Sequence, residues 1–168
     1  SVACGTTLEF SIHMVCAENA SGWDDTFVLS TGTVSPGTST PINEAFATGD
    51  PPAGWTRVNG GTGDQQWTTT NPGARTTPAG MTAPFEIIDS DYDGAGQTQD
   101  DSLITPAFNC TGASSVTLEF DTYYNDYDSN DFAYIDVSDD NGATWTTHTT
   151  WTADVGSSAT ASHQTLNI

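Results

Sequence analysis

The sequence predicts an all-β protein, an antiparallel sandwich, on three observations. No long stretch repeats apolar residues at helical spacing. The ordered-looking stretches are rich in Thr, Val, Tyr, Phe and Trp, side chains that suit a pleated surface. Clusters of Gly, Asn, Asp, Ser and Pro punctuate them at short intervals. With 168 residues, 35% hydrophobic and 10% aromatic, the chain can bury one core.

Taken in order, "TLEFSIHMVC" reads as a first strand and "SGWDDTFVL" as a second. Two strands cannot bury a core alone, so they must pack on the rest of the chain or on a neighbour. "STGTVSPGTSTP" is low in bulk and rich in Ser, Thr, Gly and Pro, the composition of a linker or crossing segment. The expected division is therefore a strand segment 1–29, a linker 30–41 and a main domain 42–168. Within the domain, "PFEII" and "SLITP" flank an acidic loop. In "SVTLEFDTYY" Val116, Leu118, Phe120 and Thr122 share one face, opposite Thr117, Glu119 and Asp121. "DFAYIDVS" places Ala133, Ile135 and Val137 together, and "ATWTTHTTW" is a Thr-rich run with Trp145 and Trp151.

Charge narrows the partners. Asp and Glu number 22 against two basic residues, Arg57 and Arg75, giving a net charge of -20. Such a surface repels nucleic acid and anionic membranes, and bound cations would relieve its self-repulsion. No run of about 18 apolar residues is present, so no membrane span is expected. The chain begins at Ser1 without Met and is read as mature and processed. Together with the absence of lysine and the abundance of Thr, Ser, Gly and Asn, this points to a secreted, extracellular protein. The three cysteines allow one disulfide with a thiol left over, or an intermolecular bond; Cys4 and Cys16 are the candidates to cross-link a hairpin, beside Cys110. No Cys/His pattern points to zinc.

Two local motifs carry chemistry. In "DSDYDGAGQTQD" Asp89, Asp91 and Asp93 occupy positions one, three and five of a 12-residue loop. Gly94 is at six, Gln97 at nine and Asp100 at twelve. This is the oxygen spacing of an EF-hand calcium loop, with Asp100 in place of the usual bidentate Glu. The flanks are strands, so the loop predicts Ca²⁺ at the rim of a sandwich and weak, structural binding. The alternative is a solvated acidic turn. "NDYDSND", with Asp126, Asp128 and Asp131, is a second acidic cluster. "SDDNGATW" matches an Asp box: Ser138, Asp140, Gly142, Thr144 and Trp145. There Asn141-Gly142 supplies a positive-φ turn, Asp140 can accept backbone N–H groups, and Trp145 packs beneath. That motif is a structural turn, not a catalytic one.

Taken together, "EAFATGDPPAGWTRVNGGTGDQQW", the acidic loop, "DDSLITPAFNCTGASSVTLEFDTYYND" and "DFAYIDVSDDNGATW" resemble secreted bacterial modules of the cleaved-adhesin or choice-of-anchor J type, relatives of the MAM sandwich. The resemblance covers about residues 42–168. It implies a jelly roll that is extracellular and calcium-binding, with no catalysis of its own, and it adds Glu44 and Asp131 to the candidate ligands Asp89, Asp91, Asp93 and Asp100. The chain departs from that pattern at its end: the closing strands of such modules are missing after "HQTLNI", while "TLEFSIHMVCAENASGWDDTFVL" at the front carries their pattern. These strands close their own domain in cis, complete a neighbouring subunit in trans, or form a simple extra hairpin on a monomer.

Two functional readings follow. One is a non-catalytic structural subunit of an extracellular filament or surface assembly, self-associating head to tail by strand complementation. The other is a monomeric adhesin or carbohydrate-binding module for surface glycans, using Trp55, Trp67 or Tyr127 to stack on sugars. An enzyme is not expected, because no GxSxG, HExxH or phosphate loop is present.

Overall fold

A computed structural model describes residues 7–17, 26–34, 42–111, 113–127 and 129–168. For residues 7, 8, 14–17 and 26–34 the description covers the backbone alone. The candidate Cys4 and the cluster member Asp128 lie outside the described residues, and so does the side chain of Cys16.

Eleven strands make up the described fold: β1 (Thr7–Ala17), β2 (Thr26–Val34), β3 (Ile42–Glu44), β4 (Thr56–Asn59), β5 (Glu86–Asp89), β6 (Thr98–Ile104), β7 (Phe108–Asn109), β8 (Thr117–Tyr124), β9 (Phe132–Ser138), β10 (Thr146–Trp151) and β11 (Ser162–Asn167). The one helical element is a single turn, Ser90–Asp93. Two antiparallel sheets result. The first runs β10-β9-β1-β6-β4, with β7 also on β1; the second runs β11-β8-β2-β3, with β5 also on β2.

The first two strands are interior strands. Ile12 of β1 is opposite Leu103 of β6 on one side and Ile135 of β9 on the other. In the second sheet, Phe27 to Ser30 of β2 face Tyr124 to Asp121 of β8, and Thr26 to Leu29 face Asp89 to Glu86 of β5. Within this one chain, both strands fill their own chain's sheets. β2 also runs into the stretch whose composition reads as a linker: Gly32 to Val34 pair with Glu44 to Ile42 of β3. Neighbours on both sides satisfy the backbone there, which overrides low bulk and glycine content.

The inner faces share a single core. Phe10, Ile12, Leu103, Ala133, Ile135 and Val137 come from the first sheet, and Ile88, Leu118, Phe120 and Tyr124 from the second. All are buried, and Trp67 is fully so. Strand alternation produces this directly: β8 reads buried at every second residue. β5 differs, being buried along its whole length. Its Ile87 packs with Met81 and Phe85 in a second cluster, with Tyr123 and Ala161 against it, so both of its faces are covered. Among the described residues, no helix is long and apolar enough to cross a membrane.

Candidate functional site at the acidic end of the sandwich

The loop after β5 does not form a 12-residue ring of oxygens. Residues 90–93 make one helical turn, capped by Asp89, whose carboxylate accepts the Tyr92 N–H. The Asp89 side chain is buried and is gripped by Arg75: Nε donates to Oδ2 at 2.8 Å and Nη2 to Oδ1 at 2.7 Å. Nη2 also reaches Asp91 Oδ2 at 3.1 Å. One guanidinium thus spans two of the three loop aspartates. Glycine makes this approach feasible: a Cβ on Gly73 would collide with the Asp89 carboxylate.

Asp93 is held from the other side. The Asp64 N–H donates to its Oδ1 at 3.0 Å. A Cβ on the buried Gly63 would run into Oδ2. That oxygen is shielded from solvent and has no hydrogen-bond partner among the described residues. The loop carrying Gly63 is tied to β6, with the Gly60 N–H on Asp100 O at 2.7 Å and the Thr62 N–H on Thr98 O at 2.9 Å.

The remaining candidates lie apart. Asp100 is on the outer face of β6, bonded to His13 Nε2. Glu44 turns one oxygen back to the Phe46 N–H at 2.6 Å and acts electrostatically on Glu86. Asp131 is buried just before β9, with β1 between β9 and β6. Among the described residues, no three His, Cys, Asp or Glu side chains gather into a metal-binding group.

Sequence inspection passed over two other buried groups. Strand alternation turns Gln99 and Asp101 of β6 inward, on the face of Leu103. Each is 1% exposed. Neither the Gln99 amide nor the Asp101 carboxylate has a hydrogen-bond partner among the described residues. Burial pushes Asp101 up to about 7; the nearby Asp100 N–H lowers it somewhat without reaching hydrogen-bond geometry, and the charges of Asp100 and Asp93 raise it further. Trp67 closes the core beside it, with Nε1 donating to the Asp101 carbonyl at 3.3 Å.

A second buried ion pair lies along the same inner region. Arg57 Nη2 donates to both oxygens of Glu86, at 2.8 and 2.9 Å, and also to Asp50. Burial nonetheless lifts Glu86 to about 7, against the lowering influence of Arg57.

The Asp-box residues form a closed hairpin. Asp140 Oδ1 accepts the Ser138 hydroxyl at 2.9 Å and the Thr144 N–H at 2.8 Å, and Oδ2 accepts the Thr144 hydroxyl at 2.6 Å. Ser138 Oγ accepts the Gly142 N–H at 2.8 Å. Asn141 and Gly142 both have positive φ, and the Trp145 ring lies against Gly142. Of the aromatics considered for sugar stacking, Trp67 is fully buried in the core and unavailable. Trp55 packs edge-on against Phe46, with ring centroids 5.2 Å apart.

Comparison with family models, with curated proteins and with solved structures gave no match. The functional reading therefore rests on the geometry above.

Proposed function

We propose that this protein is a non-catalytic extracellular structural subunit of a filament or surface assembly, a jelly roll joined to its neighbours by strand complementation and stabilised by calcium. The observation that supports this reading is the position of β1 and β2. Each is hydrogen-bonded on both sides, and both come from the segment that precedes the rest of the sandwich. Without them β9 and β6 lose their shared partner, and so do β8 and β3. Such a split sandwich exposes unpaired edges and core surface, the template that a neighbour's identical strands would fill. A head-to-tail exchange of this kind builds an open filament where its rotation does not close into a ring.

Cross-linking between paired strands tests it. His13 and Tyr134 face each other across β1 and β9. In protein assembled at high concentration, with Cys4 and Cys16 changed to Ser and Cys110 to Ala, the pair His13→Cys and Tyr134→Cys should give a ladder of covalent multimers on a non-reducing gel. A single monomer band containing an internal disulfide would refute exchange. Light scattering in calcium and then in chelator supplies the mass: a large species that loosens in chelator is expected, and a 17.6 kDa particle in both would count against assembly.

A further inference from the structure

Asp101 is a buried carboxylate with no cationic side chain beside it among the described residues. The chain's two arginines are committed elsewhere, Arg57 to Glu86 and Asp50, and Arg75 to Asp89 and Asp91. His13 is on Asp100, His163 on Asp121, and His148 on Thr149 and the Asn167 carbonyl. The sequence contains no other basic side chain. Asp101, inward-facing and 1% exposed, has no counter-ion and no partner of hydrogen-bond geometry on either carboxylate oxygen among the described residues. An uncompensated buried carboxylate is costly, and either a proton or a bound cation neutralises it.

What surrounds it is a set of oxygens. The Gln99 amide, two residues away on the same inner face, is equally buried and has no partner among the described residues. Asp93 Oδ2, shielded and without a partner among the described residues, lies against Gly63, whose loop is bonded to the β6 carbonyls of Thr98 and Asp100. Gly63 leaves the room that this oxygen occupies. We propose that Asp101, Asp93 and the Gln99 Oε1 hold a hard divalent cation, calcium, between the β6 inner face and the helical turn. The set rests on the calcium reading above for the identity of the ion, but it is a different set from the alternating loop oxygens. Two carboxylates and one amide supply at most four oxygens; calcium takes six to eight, so water completes the shell. The Gly60–Gly63 loop and the Trp67 region then become the walls of the site.

Calcium titration calorimetry on the full chain, stripped with chelator and dialysed, tests this against Asp101→Asn. Wild type should take up one equivalent, and the variant should bind at least about tenfold more weakly. Thermal unfolding adds a readout that a merely structural aspartate would not give. Ion-free Asp101→Asn should melt no lower than ion-free wild type at pH 8, because it removes a buried charge, while calcium should raise the melting point of wild type only. If Asp101→Asn does not fold, Asp93→Asn should show the same loss of affinity. Wild-type affinity in the variants, or no calcium uptake by wild type, overturns the site. Uptake at this site by a particle that stays monomeric leaves the site standing and removes the assembly reading.

Discussion

At Arg75 a single side chain decides the shape of the acidic loop. Three aspartates within five residues predict a bridging cation; what bridges the first two is a guanidinium from a loop 14 residues upstream of Asp89. Arg75→Met should leave the buried Asp89 carboxylate unpaired and cost about 3–5 kcal/mol, read as a lower urea midpoint with unchanged slope. An unchanged midpoint would mean that another group takes over the pairing. The spacing of oxygens was legible in the sequence, but not their partner. "PGAR" and "GGTGD" are ordinary turn compositions until the fold brings Gly73 and Gly63 against two carboxylates. Likewise Asp100 and Asp101 are equal as letters. Only the register of β6 between β1 and β4 settles which one faces inward.

At the scale of the element, β1 is the test piece. The Asp-box hairpin and the alternation in β8 and β9 could be read directly, because both depend on neighbours within a few residues. The register of β1 depends on β6 and β9, far along the chain, and no local pattern encodes it. Ile12 sits in a row with Leu103 and Ile135 and is 5% exposed. Ile12→Ala should cost about 2–5 kcal/mol. If the strand comes from a neighbour, the loss should vary with protein concentration; if from the same chain, it should not. Unfolding curves at two concentrations a hundredfold apart separate the cases.

For the molecule as a whole, the balance of charge sets the response to pH. Glu86 is raised to about 7 in the fold, so it favours the folded state most below its unfolded value of 4.5, and that contribution is lost as pH rises through 7. Asp140 works in the opposite sense. The Thr144 hydroxyl and N–H, with Ser138, hold it below 3.8, so its contribution is present above that value and is lost on acidification. The ion-free protein should therefore be most stable in mildly acidic solution and weaken toward pH 7. Glu86→Gln should reduce that decline, leaving the part due to Asp101; the same slope in the variant would clear Glu86 of the effect. With a net charge of -20, added salt should also raise the melting point by screening, most steeply below about 0.1 M.

The interior placement of β1 and β2 also bears on the order of synthesis. Their main partners, β6, β8 and β9, lie far downstream of them in the chain. Neither sheet can close until those strands have emerged; meanwhile, among the described residues, β1 has no partner before β6, and β2 has only the short β3 and β5. Folding dominated by such distant pairings is slow, and the waiting strands are prone to sticking together. A chain wired this way is suited to being kept unfolded until β6, β8 and β9 have been made, and it gives another copy's finished sheet time to claim the strands first.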